Sequence, residues 1–111
     1  MTASSPLVIT RRLAIQLLHE AQIAAPQAIE GVVTDRGGEL LGYLPRERLV
    51  GQPVWANVYS NPTAAAVPDA SQLAEQQLTL MISLNTKGVL EMRAWILQNG
   101  APCERTVSIR D

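Results

Sequence analysis

The chain has 111 residues, 47% of them apolar and 17% charged, which fits one compact domain and excludes a disordered chain. Nine Lys and Arg against ten Asp and Glu give a formal net charge of -1, so the broad basic footprint of a nucleic-acid surface is absent. One Cys and one His exclude an intrachain disulfide, a Cys-rich zinc site and any metal site needing two histidines of one chain.

The opening Met1-Thr2-Ala3-Ser4-Ser5-Pro6 lacks a basic stretch leading into an apolar core. It does not read as a signal peptide, and residues 1–6 are expected to be flexible. No uncharged apolar run approaches the roughly 20 residues of a membrane span, so a cytoplasmic, reducing setting is expected. Leu7-Val8-Ile9 reads as an initial strand. Thr10 offers a hydroxyl cap to a helix from Arg11 to about Ala24. Leu13, Ala14, Leu17, Leu18, Ala21 and Ala25 recur at steps of three and four and mark its buried face, and Pro26 sets the stop. Ile29 to Thr34 reads as a strand. Asp35-Arg36-Gly37-Gly38 is its turn, and Glu39 to Leu44 is the hairpin partner. Pro45 to Gln52 is polar and irregular. Val54 to Tyr59 is a strand with Val54, Ala56 and Val58 on one face. Ser60 to Pro68 is a loop. Asp69 opens a short helix to about Gln77, with Asp69 and Gln72 spaced as a capping box. Leu78 to Leu84 is a nearly continuous apolar run, as in a central strand covered on both faces. Asn85-Thr86-Lys87-Gly88 turns the chain, Val89 to Leu97 is a strand, Asn99-Gly100 a hairpin turn, and Cys103 to Ile109 an edge strand. The sum is a single α+β domain over residues 1–111, with a mixed, mostly antiparallel sheet flanked by helices.

The stretch Tyr59-Ser60-Asn61-Pro62 through Val67-Pro68-Asp69-Ala70-Ser71-Gln72 resembles the metal-site segment of the JAB/MPN (JAMM) family. There a strand ends in His-x-His-Pro, and a Ser and an Asp follow at fixed spacing. In that frame Tyr59 stands on the first His, Asn61 on the second, Asp69 on the Ser and Gln72 on the Asp. The helix followed by Pro26 and Gly31 resembles the family's opening, which puts Ala28 at the catalytic Glu and Glu30 at a Cys position. Leu80 to Leu84 and Met92-Arg93-Ala94-Trp95 resemble its closing strands. The resemblance runs from about Ile9 to Ile109 and implies the family's cytidine-deaminase-like layering.

It also implies a lost site. The family's two His and Asp bind zinc, its Ser supports the oxyanion and its Glu is the general base. A phenol at Tyr59 and amides at Asn61 and Gln72 are poor zinc donors, and Ala28 carries no base. The segment between Leu44 and Val54 is shorter than in the family. The resemblance therefore implies a catalytically inactive domain, a pseudoenzyme without zinc or other cofactor. Its partner would be a protein, either a ubiquitin-like sulfur carrier whose tail it holds or another MPN domain. Tail capture would add an extended segment to the strand ending in Tyr59, beside the loop Ser60 to Pro68. Trp55, Tyr59, Ser60 and Asn61 are the candidate binding residues. Trp55 is expected to point opposite Val54 and Ala56, toward the less covered face. The competing expectations are a zinc-dependent JAMM-type peptidase or isopeptidase with an altered site, and a structural protomer of a symmetric homodimer built on the strand Val89 to Ile96 and the Cys103 edge.

Other residues have simpler readings. Asp69 after Pro68 is a helix cap, and a hard-cation site from Asp69, Asn61 and Gln72 would hold too little charge. Ser60, His19 and Asp69 supply the residue types of a triad without spacing that joins them. Asn61-Pro62 is a turn signal, and Tyr59 either covers the old zinc pocket or packs in the core. Trp95 is a core or sheet-face residue. Cys103 has no basic cluster to activate it, and Arg46, Glu47 and Arg48 form a solvated mixed-charge loop.

Overall fold

Thr10 begins the one α-helix among the described residues, which are 7–37, 39–63, 65–73, 77–84 and 91–110 of a computed structural model. Its Oγ1 accepts the Leu13 N–H at 3.2 Å and satisfies one of the donors a helix start leaves unpaired. Helix α1 spans Arg11–Ala24 and buries Leu13, Ala14, Leu17 and Ala21. Leu18 packs at the margin of this stripe, and Ala25, beyond the helix end, is exposed. Leu17 and Ala21 are fully enclosed; burying a leucine side chain stabilises by about 1.5–3 kcal/mol.

The strands are β1 (Leu7–Thr10), β2 (Glu30–Arg36), β3 (Glu39–Pro45), β4 (Val54–Asn61), β5 (Thr79–Ser83), β6 (Glu91–Gln98), β7 (Ala101–Arg105) and β8 (Val107–Arg110). Six form one sheet in the order β3-β2-β4-β5-β6-β7. Only β4 and β5 run parallel within it, so the sheet is mixed and mostly antiparallel. β5 lies between β4 and β6, and all five of its residues are buried. This is why its sequence is nearly all apolar rather than alternating. Asn99 and Gly100 take φ of 53° and 78° in the β6–β7 turn, the left-handed pair a tight hairpin needs.

Two layers cover the sheet. Against one face, α1 packs on Val33, Ala56, Val58, Leu80, Ile82 and Ala94. The alternate residues Thr79, Met81 and Ser83 point the other way and are also buried. There the segment between β4 and β5 closes over them. Ala66 is buried and its carbonyl accepts the Trp95 indole N–H at 3.0 Å, while Thr79 Oγ1 donates to Gln72 O at 3.4 Å. Trp95 is thus a sheet-face residue, with the Arg93 guanidinium 5.0 Å from its ring centre.

The structure departs from the sequence reading in several places. The helix expected from Asp69 to Gln77 is a single 3-10 turn at Ala70–Gln72, and residues 74–76 lie outside the described residues, as do residues 1–6, the expected turn at 85–88 and the expected strand start at Val89. The sheet is therefore flanked by one α-helix among the described residues, not two. The edge expected over Cys103 to Ile109 is two strands: the chain breaks at Thr106, and β8 leaves the sheet to pair in parallel with β1. Leu7 N–H donates to Thr106 O at 2.7 Å at the start of that pair. Val54 is only half-buried, and Ser60 joins Ala56 and Val58 on the buried face of β4. Arg46 sits in a 3-10 turn at Arg46–Arg48 rather than in a solvated loop. Its Nη2 donates to Asn57 Oδ1 at 2.9 Å, and its Nε lies 2.9 Å from Glu30 Oε2 as an ion pair. No helix among the described residues is long and apolar enough to cross a membrane.

Candidate functional site

Strands β2 and β4 are antiparallel neighbours whose register sets Glu30 opposite Tyr59. Cross-strand partners share a face, so the carboxylate and the phenol stand side by side. The residues just before β2 lie beside the same end of β4. Ser60 Oγ accepts the Ile29 N–H at 2.7 Å, and Ser60 N–H donates to Ile29 O at 3.2 Å. This two-way clamp fixes Ala28 and Ile29 against the end of β4. The 3-10 turn then approaches from the β4–β5 connection.

Between these three elements lies an open cleft of about 360 Å³, lined by Ala28, Ile29, Glu30, Tyr59, Ser60, Ser71 and Gln72. Five positions singled out in the sequence, Ala28, Glu30, Tyr59, Ser60 and Gln72, therefore meet at one place although the first and last are 44 positions apart. Asn61 and Asp69 do not line it. Asn61 follows Tyr59 on the same face of β4 and pairs with Ser83. Asp69 belongs to the turn: its N–H donates to Gln72 Oε1 at 2.8 Å, and Gln72 N–H donates back to Asp69 O at 2.9 Å. Half of the expected capping box thus survives on a shorter turn: the Gln72 side chain caps the Asp69 N–H, while the Gln72 N–H goes to the Asp69 backbone carbonyl instead of its carboxylate.

The donor chemistry does not fit a zinc ion. The cleft offers a phenol, an amide whose oxygen is engaged by its own turn, two hydroxyls and one carboxylate. Zinc sites use thiolate, imidazole and carboxylate donors. Among the described residues no group of three or more His, Cys, Asp or Glu could hold a metal. Nor do the triad letters assemble. Ser60 is buried in β4 with its hydroxyl accepting from Ile29, whereas His19 is on the exposed side of α1. What the cleft can do is hydrogen-bond: donors and acceptors converge on a surface open at one side.

A second cleft of about 410 Å³ adjoins the first, sharing Ala28, Ile29 and Glu30, and adds Glu20, Ile23, Tyr43 and Glu47. Burial pushes the Tyr43 phenol above its ordinary pKa of 10, and the carboxylates of Glu20, Glu47 and Glu30 add to the rise, with Arg46 opposing it. Sequence reasoning missed this acidic rim. Its acids, Glu20, Glu30 and Glu47, come from α1, from β2 and from the 3-10 turn Arg46–Arg48, and no local spacing links them.

Trp55 lies elsewhere. Val33 pairs with Ala56 and Thr34 with Val54, so Trp55 is the extra residue of a β-bulge. A bulge re-aims its side chain, and Trp55 packs against the core cluster on the α1 side instead of pointing opposite Ala56. It lines a separate cleft with Val8, Thr10, Arg12, Leu40 and Arg110. β4 has neighbours on both edges, so no strand can be added to the one ending in Tyr59, as the sequence reading expected. The outer strands of the six-stranded sheet are β3 and β7. Cys103 is half-buried on β7 opposite Ile96, as a free thiol.

No protein-family model matches the chain, and no curated protein does. Solved structures do. A protein of Desulfitobacterium hafniense, determined in solution, superposes with a TM-score of 0.77 at 18% identity, covering 95% of this chain and 93% of its own. A JAB1/MPN domain protein of Archaeoglobus fulgidus superposes with a TM-score of 0.63 at 15% identity over 95% of this chain and 99% of its own. A structure described as a JAMM metalloprotease-like zinc site in the proteasome and signalosome gives a TM-score of 0.63 at 12% identity, covering 96% and 100%. The fold of this chain is the α+β fold of JAB1/MPN domains.

Proposed function

We propose that the chain is a catalytically silent domain of JAB/MPN fold that binds a protein segment in the cleft around Tyr59. The observation that supports this is the convergence of Ala28, Tyr59 and Gln72 on one cleft. In the family frame these positions hold the general base, the first histidine ligand and the aspartate ligand. Their replacement by a methyl group, a phenol and an amide leaves nothing to lower the pKa of a bound water, while the cleft keeps groups that hydrogen-bond an extended backbone.

The partner on this reading is the tail of a ubiquitin-like sulfur carrier, with another MPN domain as the second candidate. Since β4 is flanked on both edges, the tail docks through side chains of the cleft, with Tyr59, Ser60 and Gln72 nearest, rather than as an added strand. Trp55, on the α1 side, takes no part in this contact. Soluble intracellular placement suits such a role.

Zinc content decides the inactive half of the reading. Protein purified without chelator or affinity tag is expected to hold no stoichiometric zinc and to leave a ubiquitin-like fusion uncleaved. One zinc per chain, or cleavage, would overturn it in favour of a peptidase with an altered site. Titration with a ubiquitin-like carrier, followed by backbone amide shifts, decides the binding half. Shifts at Tyr59, Ser60 and Gln72 are expected, and shifts confined to other surfaces reject the cleft.

A further inference from the structure

Helix α1 carries a second apolar feature, on the side away from the sheet. Ile15 and Ile23 are 59% and 62% exposed, about two turns apart, and the exposed His19 stands midway between them. None of the described residues buries them. The two ends of this face carry opposite charge. Arg11 and Arg12 occupy the first helical turn, which holds no acid, although the positive end of the helix macrodipole favours acids there. Arg110 lines the same cleft as Arg12, with Glu39 as the acid beside them, so this end stays basic on balance. At the other end no base occupies the last turn, and Glu20 and Glu47 share a cleft with Ile23.

We propose that this face is an isologous interface with a second copy of the chain, the two α1 helices lying antiparallel about an axis at His19. Ile15 and Ile23 stand four residues on either side of His19, so the two-fold sets Ile15 of each copy against Ile23 of the other. The same operation carries the arginine end of one copy toward the glutamate end of its mate. Each macrodipole then gains the counter-charge its own chain withholds. The charge pattern is what selects a second copy as the occupant: basic on balance at one end and carrying Glu20, Glu30 and Glu47 at the other, it is complementary to itself reversed. The strand edge is a poorer site for self-association. β7 carries Pro102 and Glu104, devices that discourage strand pairing.

Sedimentation equilibrium of the intact chain, from micromolar to millimolar concentration at low salt, tests this. The mass is expected to climb from one chain toward two, and added salt to lower it. Ile15→Asp and Ile23→Asp, both at exposed positions that leave the fold intact, are each expected to hold the protein as a monomer. Arg12→Glu should weaken association by about tenfold, because symmetry removes the contact twice, and adding Glu47→Arg should restore it. A chain that stays monomeric throughout overturns the proposal. So does a dimer that survives both isoleucine changes, which would put the contact elsewhere. Neither result bears on the zinc measurement, so this proposal and the pseudoenzyme reading can fail separately.

Discussion

Tyr43 on β3 donates its backbone N–H to Oε1 of Gln16 on α1, at 3.2 Å. β3 is an outer strand of the six-stranded sheet, and an outward N–H on such a strand invites another chain. The helix supplies an acceptor in place of a neighbouring strand. Gly42 makes room for it: a Cβ there would stand 3.0 Å from Gln16 Oε1, and its φ of +145° disfavours any other residue. Gln16→Leu keeps the bulk and removes the acceptor. It should cost about 0.5–1.5 kcal/mol, the net contribution of a hydrogen bond whose N–H water can reach once the acceptor is gone, measurable by urea unfolding. Light scattering should also show more association through the uncapped edge.

Gly31 is set by the Tyr43 ring. A Cβ at Gly31 would lie 2.5 Å from Tyr43 Cε1 and 2.6 Å from the Leu44 carbonyl oxygen. The ring can rotate away, but the backbone oxygen cannot. Gly31→Ala should therefore destabilise by about 1–3 kcal/mol, as overpacking does. The double variant Gly31→Ala with Tyr43→Ala should recover only the part owed to the ring. Thermal unfolding of these two variants and of Tyr43→Ala alone separates the two contributions.

The raised pKa of Tyr43 makes stability depend on alkaline pH. Burial, then Glu20 and Glu47, hold the phenol protonated in the folded chain above its ordinary value of 10. The unfolded chain loses that proton first. The contribution is thus complete below about pH 10 and fades as pH rises through the folded value. Unfolding free energy measured across that range should fall, and less steeply in Tyr43→Phe. In a Tyr59→Phe background, where Tyr43 is the one remaining phenol, Glu20→Gln should bring the tyrosinate absorbance transition to lower pH.

The pair at the other edge works in the opposite direction. Arg93 Nε donates to Glu104 Oε2 at 2.8 Å, and a second contact joins Nη2 to Oε1 at 2.5 Å. This bidentate bond holds the Glu104 carboxyl below its ordinary value. Its contribution is present above the unfolded pKa and lost as pH falls through the folded one. Solvent reaches both side chains, so Glu104→Gln should cost less than about 1 kcal/mol and less still in high salt. A larger loss measured at neutral pH would mean that the Arg93 stack on Trp95 depends on the pair.

The parts of the fold governed by short-range periodicity were legible in the sequence. Leu13, Ala14, Leu17 and Ala21 mark α1 because a helix repeats within a few residues, and Leu80-Met81-Ile82 mark a central strand because both of its faces are covered. The departure of β8 was not legible. It rests on Thr106 interrupting an otherwise alternating stretch and on a partner strand at the opposite end of the chain. The bulge at Trp55 is likewise a property of the β2–β4 register, not of the letters around it. The meeting of Ala28, Tyr59 and Gln72 followed from resemblance alone, since composition and spacing give three residues so far apart no reason to converge. The acidic rim of Glu20, Glu30 and Glu47 had no signal, because its members sit on separate elements and become neighbours only after α1 docks.

The parallel pairing of β1 with β8 sets an order of events. Leu7 aligns with Val107, so β1 is made about 100 residues ahead of its partner strand. Until then Leu7 and Ile9, both buried in the finished protein, have no strand to pair with. Closing β1 against β8 carries the entropy cost of a long loop, which local units such as α1 and the β2–β3 hairpin do not bear. The pairing of β1 with β8 is therefore a slow, non-local step of folding, and the apolar residues of β1 stay open to wrong contacts until it is made.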